Sequence, residues 1–312
     1  MTEEEIGKKH IPVLLNELVD SISISKDKQN IIVDGTLGMG GHALKIIEKM
    51  NPLDIFIGFD ADLKNLSLAK ERLRNVNKKI KKIFINSNFV NLKQELQKRG
   101  INKISGIYYD LGISSLHVDE AERGFSFNLD GPLDMRFDKN SGITAAEIVN
   151  SYSVDKLYKI FKEYGEEPNS KKIASKIVER RKKEKFKKTK DLANTIGEIT
   201  SYHKTKSKIF QAIRIEVNNE LENIKTSLKD AIELLETGGS IFVISFHSLE
   251  DRITKQIFKR ESKDCICQDL ICSCKHKKKI KILSKKPIIP SKEEIKNNIR
   301  SRSAKARFAK KI

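Results

Sequence analysis

Three aspartates stand where short apolar runs end. Asp34 follows Ile31-Ile32-Val33, Asp60 follows Ile55-Phe56-Ile57-Gly58-Phe59, and Asp110 closes the run from Ile104 to Tyr109. Asp34 leads at once into a glycine-rich turn, Gly35-Thr36-Leu37-Gly38-Met39-Gly40-Gly41-His42. Such a turn between a strand and a helix lets a ligand approach the backbone and offers it the helix N-terminal N–H groups. An acid about twenty residues further on suits a ribose diol, and Asp60 stands twenty residues after Gly40. This pattern fits a dinucleotide or S-adenosylmethionine, and it also fits a tight turn with no ligand. Asp34 tilts the balance. A carboxylate there repels a pyrophosphate and attracts a sulfonium or an ammonium group. The glycine spacing also departs from G-x-G-x-x-G. Phe89, after the apolar run 82–85, either stacks on adenine or fills the core. Asp110 either faces cofactor and substrate together or caps the next segment.

These residues need strands to end together. The apolar runs at 31–33, 55–59, 82–85 and 104–109 read as strands, with helical periodicity at 43–49 and 66–73 between them. Alternating strands and helices predict βαβ units and a parallel sheet. From residue 114 to 218 the pattern turns helical. Apolar positions recur at Ala145, Ile148, Val149, then Leu157, Ile160, Phe161, then Ile173, Ile177, then Leu192, Ile196, Ile199. An amphipathic helix over 221–235, a turn at 236–239 and a buried strand over 240–246 resume the α/β pattern. The expected organisation is an α/β domain over residues 1–113, a helical insertion for substrate recognition over 114–218, and completion of the α/β domain plus a basic C-terminal tail over 219–312.

The 312 residues carry 61 Lys+Arg against 42 Asp+Glu, a net charge of +19. A surplus that large points to a polyanionic partner. No stretch approaches the about 18 apolar residues of a membrane span. The acidic start Met1-Thr2-Glu3-Glu4-Glu5 does not read as a secretory signal. All four cysteines fall between Cys265 and Cys274, which argues for a reducing cytoplasm rather than a disulfide framework.

Further blocks run along the chain in order. They are His10-Ile11-Pro12-Val13-Leu14-Leu15-Asn16-Glu17, Asp110 to Ser115, Glu122-Arg123-Gly124-Phe125-Ser126-Phe127 and Asp130-Gly131-Pro132-Leu133-Asp134-Met135-Arg136. Then come Phe210-Gln211-Ala212-Ile213-Arg214, Ser245-Phe246-His247-Ser248-Leu249-Glu250-Asp251-Arg252, and Arg300-Ser301-Arg302-Ser303-Ala304-Lys305. With the glycine turn, they resemble the bacterial ribosomal RNA small subunit methyltransferase H family, the 16S rRNA cytosine-N4 methyltransferases. The resemblance implies a Rossmann-like S-adenosylmethionine-dependent methyltransferase sheet with an inserted helical domain. It implies 16S rRNA of the small ribosomal subunit as partner, a decoding-centre modification, no membrane, and a monomer or dimer in the cytoplasm. It places the cofactor on Asp34, Gly40, Gly41, His42, Asp60, Phe89 and Asp110. The family carries a Gln shortly after the double serine; here Leu116-His117 stands, and His117 takes that place.

Cytosine N4 is a weak nucleophile because its lone pair is delocalised into the ring. The protein must extract the base, align N4 with the methyl donor and accept hydrogen bonds from the amine. Asp110 is the first candidate. Asp134, Arg136 and His247 are further catalytic candidates, each with a structural alternative. Phe125 and Phe127 either stack on an extruded base or pin the insertion. Arg300 and Arg302, in a basic tail running to Lys311, suit phosphate contacts. Arg180 to Lys183 read as a solvated helix face. Methyl transfer from a sulfonium needs no metal. Cys265, Cys267, Cys272 and Cys274 form two C-x-C pairs, tighter than the usual C-x₂₋₄-C. They are either a structural zinc site that orders a basic, RNA-facing loop or four free or transiently oxidised thiols.

Overall fold

The structure, a computed structural model, describes residues 11–267 and 273–312. The chain divides into two compact units. The first joins the chain up to Gly112 with Leu221–Ile312, and the second covers Ile113–Glu220.

The first unit is built on a seven-stranded sheet: β1 (Ile31–Asp34), β2 (Ile55–Asp60), β3 (Lys81–Asn86), β4 (Ile104–Asp110), β5 (Leu235–Ser245), β6 (Ile280–Ile282) and β7 (Lys305–Lys311). Its spatial order is β3-β2-β1-β4-β5-β7-β6. The first five strands pair in parallel; β7 runs antiparallel to both β5 and β6. Strand side chains alternate between faces, and both faces are covered. Ile32, Phe56, Tyr108 and Phe242 pack on one side against α1 (Leu15–Ser21), α2 (Gly41–Lys49) and α3 (Leu63–Leu73). Val33, Ile57, Ile107, Tyr109 and Val243 pack on the other against α4 (Leu92–Gln97), and against two helices from the C-terminal half. Burial on both faces is why these strands read as unbroken apolar runs.

The second unit is helical: α5 (Ser115–Asp119), α6 (Ala145–Ser151), α7 (Val154–Glu163), α8 (Ser170–Arg181), α9 (Thr189–Gly197) and α10 (His203–Asn218). Thr144 caps α6 in a capping box with Glu147, and Ser153 caps α7. Phe161, Ile173, Ile177, Leu192, Ile196 and Ile213 form its own core. The two helices that complete the first unit's cover are α11 (Glu220–Leu234) and α12 (Ser248–Glu261). A short helix, α13 (Lys292–Asn297), precedes β7. No helix among the described residues is long and apolar enough to cross a membrane.

Two expectations change here. The strand expected over 240–246 begins earlier, at Leu235. Leu235 pairs with Ile104 and Ser240 with Gly106, so the expected turn Glu236-Thr237-Gly238-Gly239 is a bulge within the strand. From Lys305 on, the basic tail is a strand. Ser240–Ser245 pair with Lys305–Lys310 in register, Ala306 and Ala309 are fully buried, and Arg307 makes a two-bond ion pair with Asp251, at 2.6 and 3.1 Å. The alternation of Arg and Ser that reads as a flexible tail lies in the turn Ile299–Ser303 ahead of β7, while Ala306 and Ala309, three residues apart, face opposite cores from within the strand.

Candidate functional site

The carboxyl ends of β1, β2 and β4 carry the three aspartates. β1 lies between β2 and β4. The chain leaves β1 toward β2 on one side and returns through β4 on the other, the switch point where open α/β sheets bind ligands. The glycine turn is tied to both flanking strands. Gly35 N–H donates to Tyr108 O at 2.9 Å and Leu37 N–H to Phe59 O at 2.8 Å. Thr36 supplies two more ties: its N–H donates to Asp34 Oδ1 at 2.9 Å, and its Oγ1 accepts the Asp110 N–H at 2.6 Å. Asp60 Oδ2 accepts the Gly38 N–H at 2.7 Å, and Oδ1 accepts the Asp62 N–H at 2.8 Å.

Burial dominates the electrostatics. It pushes the carboxyls of Asp34, Asp60 and Asp110 from their ordinary 3.8 to about 7. For Asp110 the charge of Glu250 adds to the push. Asp110 Oδ1 is buried and has no hydrogen-bond partner. Its Oδ2 lies 3.6 Å from His42 Nδ1. Burial pulls His42 down to about 4, so its ring is neutral. Nε2 lies 2.8 Å from the Val13 carbonyl, which assigns the proton to Nε2 and leaves Nδ1 an acceptor. Asp110 therefore meets no donor from the described residues at Oδ1. A buried acceptor left unpaired calls for a ligand donor or a cation. Donor chemistry and charge both fit a cationic cofactor.

The glycines divide by role. Gly38 sits at φ +52°, and a side chain there would meet only the Thr36 carbonyl oxygen, 3.9 Å away. Gly40, at φ +74°, starts α2, and a Cβ there would press on Leu73 at 3.2 Å and Ala69 at 3.4 Å. A Cβ on Gly41 would come within 2.8 Å of Pro12. Gly40 and Gly41 thus serve helix packing, and Gly38 is the open position of the turn. Phe89 is half-buried, edge-to-face with Tyr109 at 5.8 Å.

The other expected residues occupy different settings. His247 begins α12 with its Nε2 3.2 Å from the fully buried Glu250, whose Oε2 accepts the N–H groups of Phe246 and His247. In the second unit, Asp134 and Arg136 form a two-bond pair at 2.8 and 3.0 Å. Met135 between them stands at φ 63°, and Asn218 Nδ2 donates to its carbonyl at 2.8 Å. The Arg136 guanidinium holds the Asp134 carboxyl below its ordinary value against the opposing effect of burial. His117 is buried in α5, accepts the Ser114 N–H at Nδ1 and stacks on Phe125 at 4.8 Å. Phe125 is itself buried and also stacks on Phe137. Phe127 is half-buried, edge-to-face with Phe210. Arg300 and Arg302 are exposed on the turn Ile299–Ser303 that leads into β7. Arg180 is no free surface charge: it donates to Asp191 O and Thr195 Oγ1. Cys265, Cys267 and Cys274 lie between α12 and β6; Cys272 and His10 fall outside the described residues.

Sequence reasoning missed Thr36, Gly38 and Glu250. Glu250 stands three residues after His247, the spacing of a capping box, but with His where Ser or Thr usually signals one. Thr36 carried no signal beyond its place in the turn.

Comparison with known proteins adds relatives. Residues 7–312 match the model described as the MraW methylase family. The chain is 47% identical over 312 residues to "Ribosomal RNA small subunit methyltransferase H" of Clostridioides difficile, covering 97% of this chain and 99% of that protein. It is 48% identical over 310 residues to the protein of the same name from Caldicellulosiruptor saccharolyticus, with the same coverage. The corresponding protein of Clostridium botulinum (strain Loch Maree) is 44% identical over 312 residues.

Proposed function

The chain belongs to the MraW methylase family, and from that premise we propose that it transfers the methyl group of S-adenosylmethionine to the N4 amine of a cytosine in 16S rRNA. The observation that carries the assignment of roles is the buried, unpartnered Oδ1 of Asp110 beside the glycine turn.

When bound, the cofactor supplies a methyl group on a positively charged sulfur. Asp34, Gly38, Asp60, Phe89 and Asp110 line its place, with Gly40, Gly41 and His42 fixing the start of α2. Each Asp60 oxygen accepts one backbone N–H and keeps lone-pair capacity for a ribose hydroxyl. Asp34 and Asp110, neutral in part near pH 7 without a ligand, ionise beside a cation. Asp110 accepts a hydrogen bond from the N4 amine, stabilises the positive charge that grows there, and takes the proton the amine must lose. Burial, which raises this carboxyl above an ordinary aspartate, makes it a stronger proton acceptor than an exposed one. The Thr36 hydroxyl, accepting the Asp110 N–H, fixes where that carboxyl begins. His42, neutral and anchored on Val13, walls the other side. Arg136, held by Asp134, and the exposed Arg300 and Arg302 supply phosphate contacts. His117 and Phe125 we assign to the core of the second unit, and His247 to the start of α12.

The substrate is the small ribosomal subunit in the cytoplasm, and the methylated cytosine belongs to the decoding centre. Labelled methyl transfer to purified small subunits and to naked 16S rRNA, followed by nucleoside analysis, tests this. N4-methylcytidine as the labelled product is the expected result. Label in another nucleoside overturns the amine assignment, and RNA binding without transfer to either substrate overturns the enzyme.

A further inference from the structure

Between α12 and β6 the chain spans eighteen residues, and none of the described ones is buried. The span holds Lys263, Lys275, Lys277, Lys278 and Lys279, so like charges push it apart. Its C-terminal end is tied by the Lys279 N–H to Glu261 O at 2.8 Å, with Lys279 Nζ 3.2 Å from the Glu261 carboxylate. With no buried residue among those described, such a loop needs another device to hold one conformation.

Three thiols come together there. The Sγ atoms of Cys265, Cys267 and Cys274 lie within 4.8 Å of one another, and those of Cys265 and Cys274 are 3.8 Å apart. Two sulfurs joined in a disulfide stand about 2.05 Å apart. Two sulfurs on one tetrahedral zinc, each at about 2.3 Å, stand about 3.8 Å apart. The observed spacing excludes the first; it is that of a thiol–thiol hydrogen bond from Cys274 to Cys265 and needs no change to become the second. The backbone is arranged around the sulfurs as well. Cys265 Sγ accepts the Cys267 N–H at 3.4 Å, Cys267 Sγ the Ser273 N–H at 3.4 Å, and Cys274 Sγ the Ile266 N–H at 3.5 Å. One peptide donor aimed at each sulfur is the outer support that holds thiolate ligands in place. Three thiolates around a dication leave one negative charge, which the flanking lysines offset.

We propose that Cys265, Cys267 and Cys274 hold a structural zinc ion that closes the loop between α12 and β6, with one further donor completing the tetrahedron. The thiol protons are released as the metal binds, so affinity rises with pH. The ion stands apart from methyl transfer; its effect is to fix the basic segment Lys275–Lys279 on the sheet edge next to β6. Cys272, the remaining thiol of the sequence, lies outside the described residues.

The test uses untagged full-length protein purified under reducing conditions without chelator. Metal analysis is expected to give about one zinc per chain. Replacement by cobalt(II) is expected to give thiolate-to-metal charge-transfer absorption. The triple variant Cys265→Ser, Cys267→Ser, Cys274→Ser is expected to lose both signals while keeping the far-ultraviolet circular dichroism of the fold. Trypsin is expected to cut at Lys275–Lys279 faster in that variant and in chelator-treated wild type. Background zinc together with no charge-transfer band in the wild type overturns the proposal without recourse to any variant. Full zinc retained by a folded triple variant overturns it equally.

Discussion

Asp110 is costly to the fold, and the proposed reaction gives that cost a use. A buried carboxyl raised to about 7, with one oxygen unpaired, is an unfavourable group that packing alone does not explain. Asp110→Asn removes the charge and keeps the shape. Turnover is expected to fall about 10²–10⁴-fold, while the melting temperature at neutral pH stays level or rises. Near wild-type turnover in that variant would remove Asp110 from the mechanism. The glycine turn separates in the same way. Gly38→Leu and Gly40→Leu both place a side chain at positive φ, which costs about 1–2 kcal/mol of stability each. At Gly40 the added carbons also meet Leu73 and Ala69, so the melting temperature should fall further there. At Gly38 a Cβ meets no protein side chain within 4 Å, so the loss should appear in cofactor affinity by calorimetric titration. Unchanged affinity in Gly38→Leu would show that the turn does not line the cofactor site. At this scale the sequence was legible where chemistry and spacing coincide, at Asp34, Asp60 and Asp110. It was opaque where a role depends on direction. Nothing in a row of glycines says that Gly40 faces α3 and Gly38 faces open space.

Among the elements, the parallel strands could be read because burial on both faces forces an apolar run, whereas their spatial order, which the alternation of strands and helices leaves open, is seen only in the sheet. β7 could not. Its residues Lys305-Ala306-Arg307-Phe308-Ala309-Lys310-Lys311 are basic enough to look like an arm for RNA. Its small apolar residues are what fit between the cores, and Arg307 is neutralised by Asp251. These are tertiary facts without a local signal. The helix α5 is similar: that the His117 ring caps it and stacks on Phe125 is a contact the local sequence does not signal. Removing residues from Lys305 onward should therefore act through folding. It strips a paired strand from β5, leaves Asp251 without Arg307, and exposes a long strand edge. The truncated chain is expected to be insoluble or to melt well below the full chain. A truncation with an unchanged melt and only weaker RNA binding would return the segment to the status of a tail. Arg300→Ala with Arg302→Ala is the complementary case. These exposed side chains should change stability by less than about 0.5 kcal/mol. Each phosphate of single-stranded RNA that is no longer neutralised should lower the log–log salt slope by about 0.7. An unaltered slope would show that neither arginine touches the RNA backbone.

Taken over the whole molecule, the three raised carboxyls link folding, cofactor and pH. Asp34, Asp60 and Asp110 each move from 3.8 to about 7 on burial. Between those values the native chain holds protons that the unfolded chain has released, so the slope of stability against pH is negative. Their contribution is complete below about 3.8 and is lost as pH rises to about 7. A cationic ligand reverses the preference, because it favours the ionised carboxylates. Binding then expels protons, and affinity rises with pH through the same window, by at most about tenfold per pH unit for each proton expelled. Calorimetric titration of S-adenosylmethionine at about pH 6 and about pH 8, in buffers of different ionisation enthalpy, counts those protons directly. Tighter binding at the higher pH is expected, with proton release largest at the lower. S-adenosylhomocysteine, whose sulfur is neutral, should show a weaker pH dependence. Asp110→Asn should remove one carboxyl's share of it. Equal affinities at both pH values, with no proton release, would mean that these carboxylates do not face the charge of the cofactor.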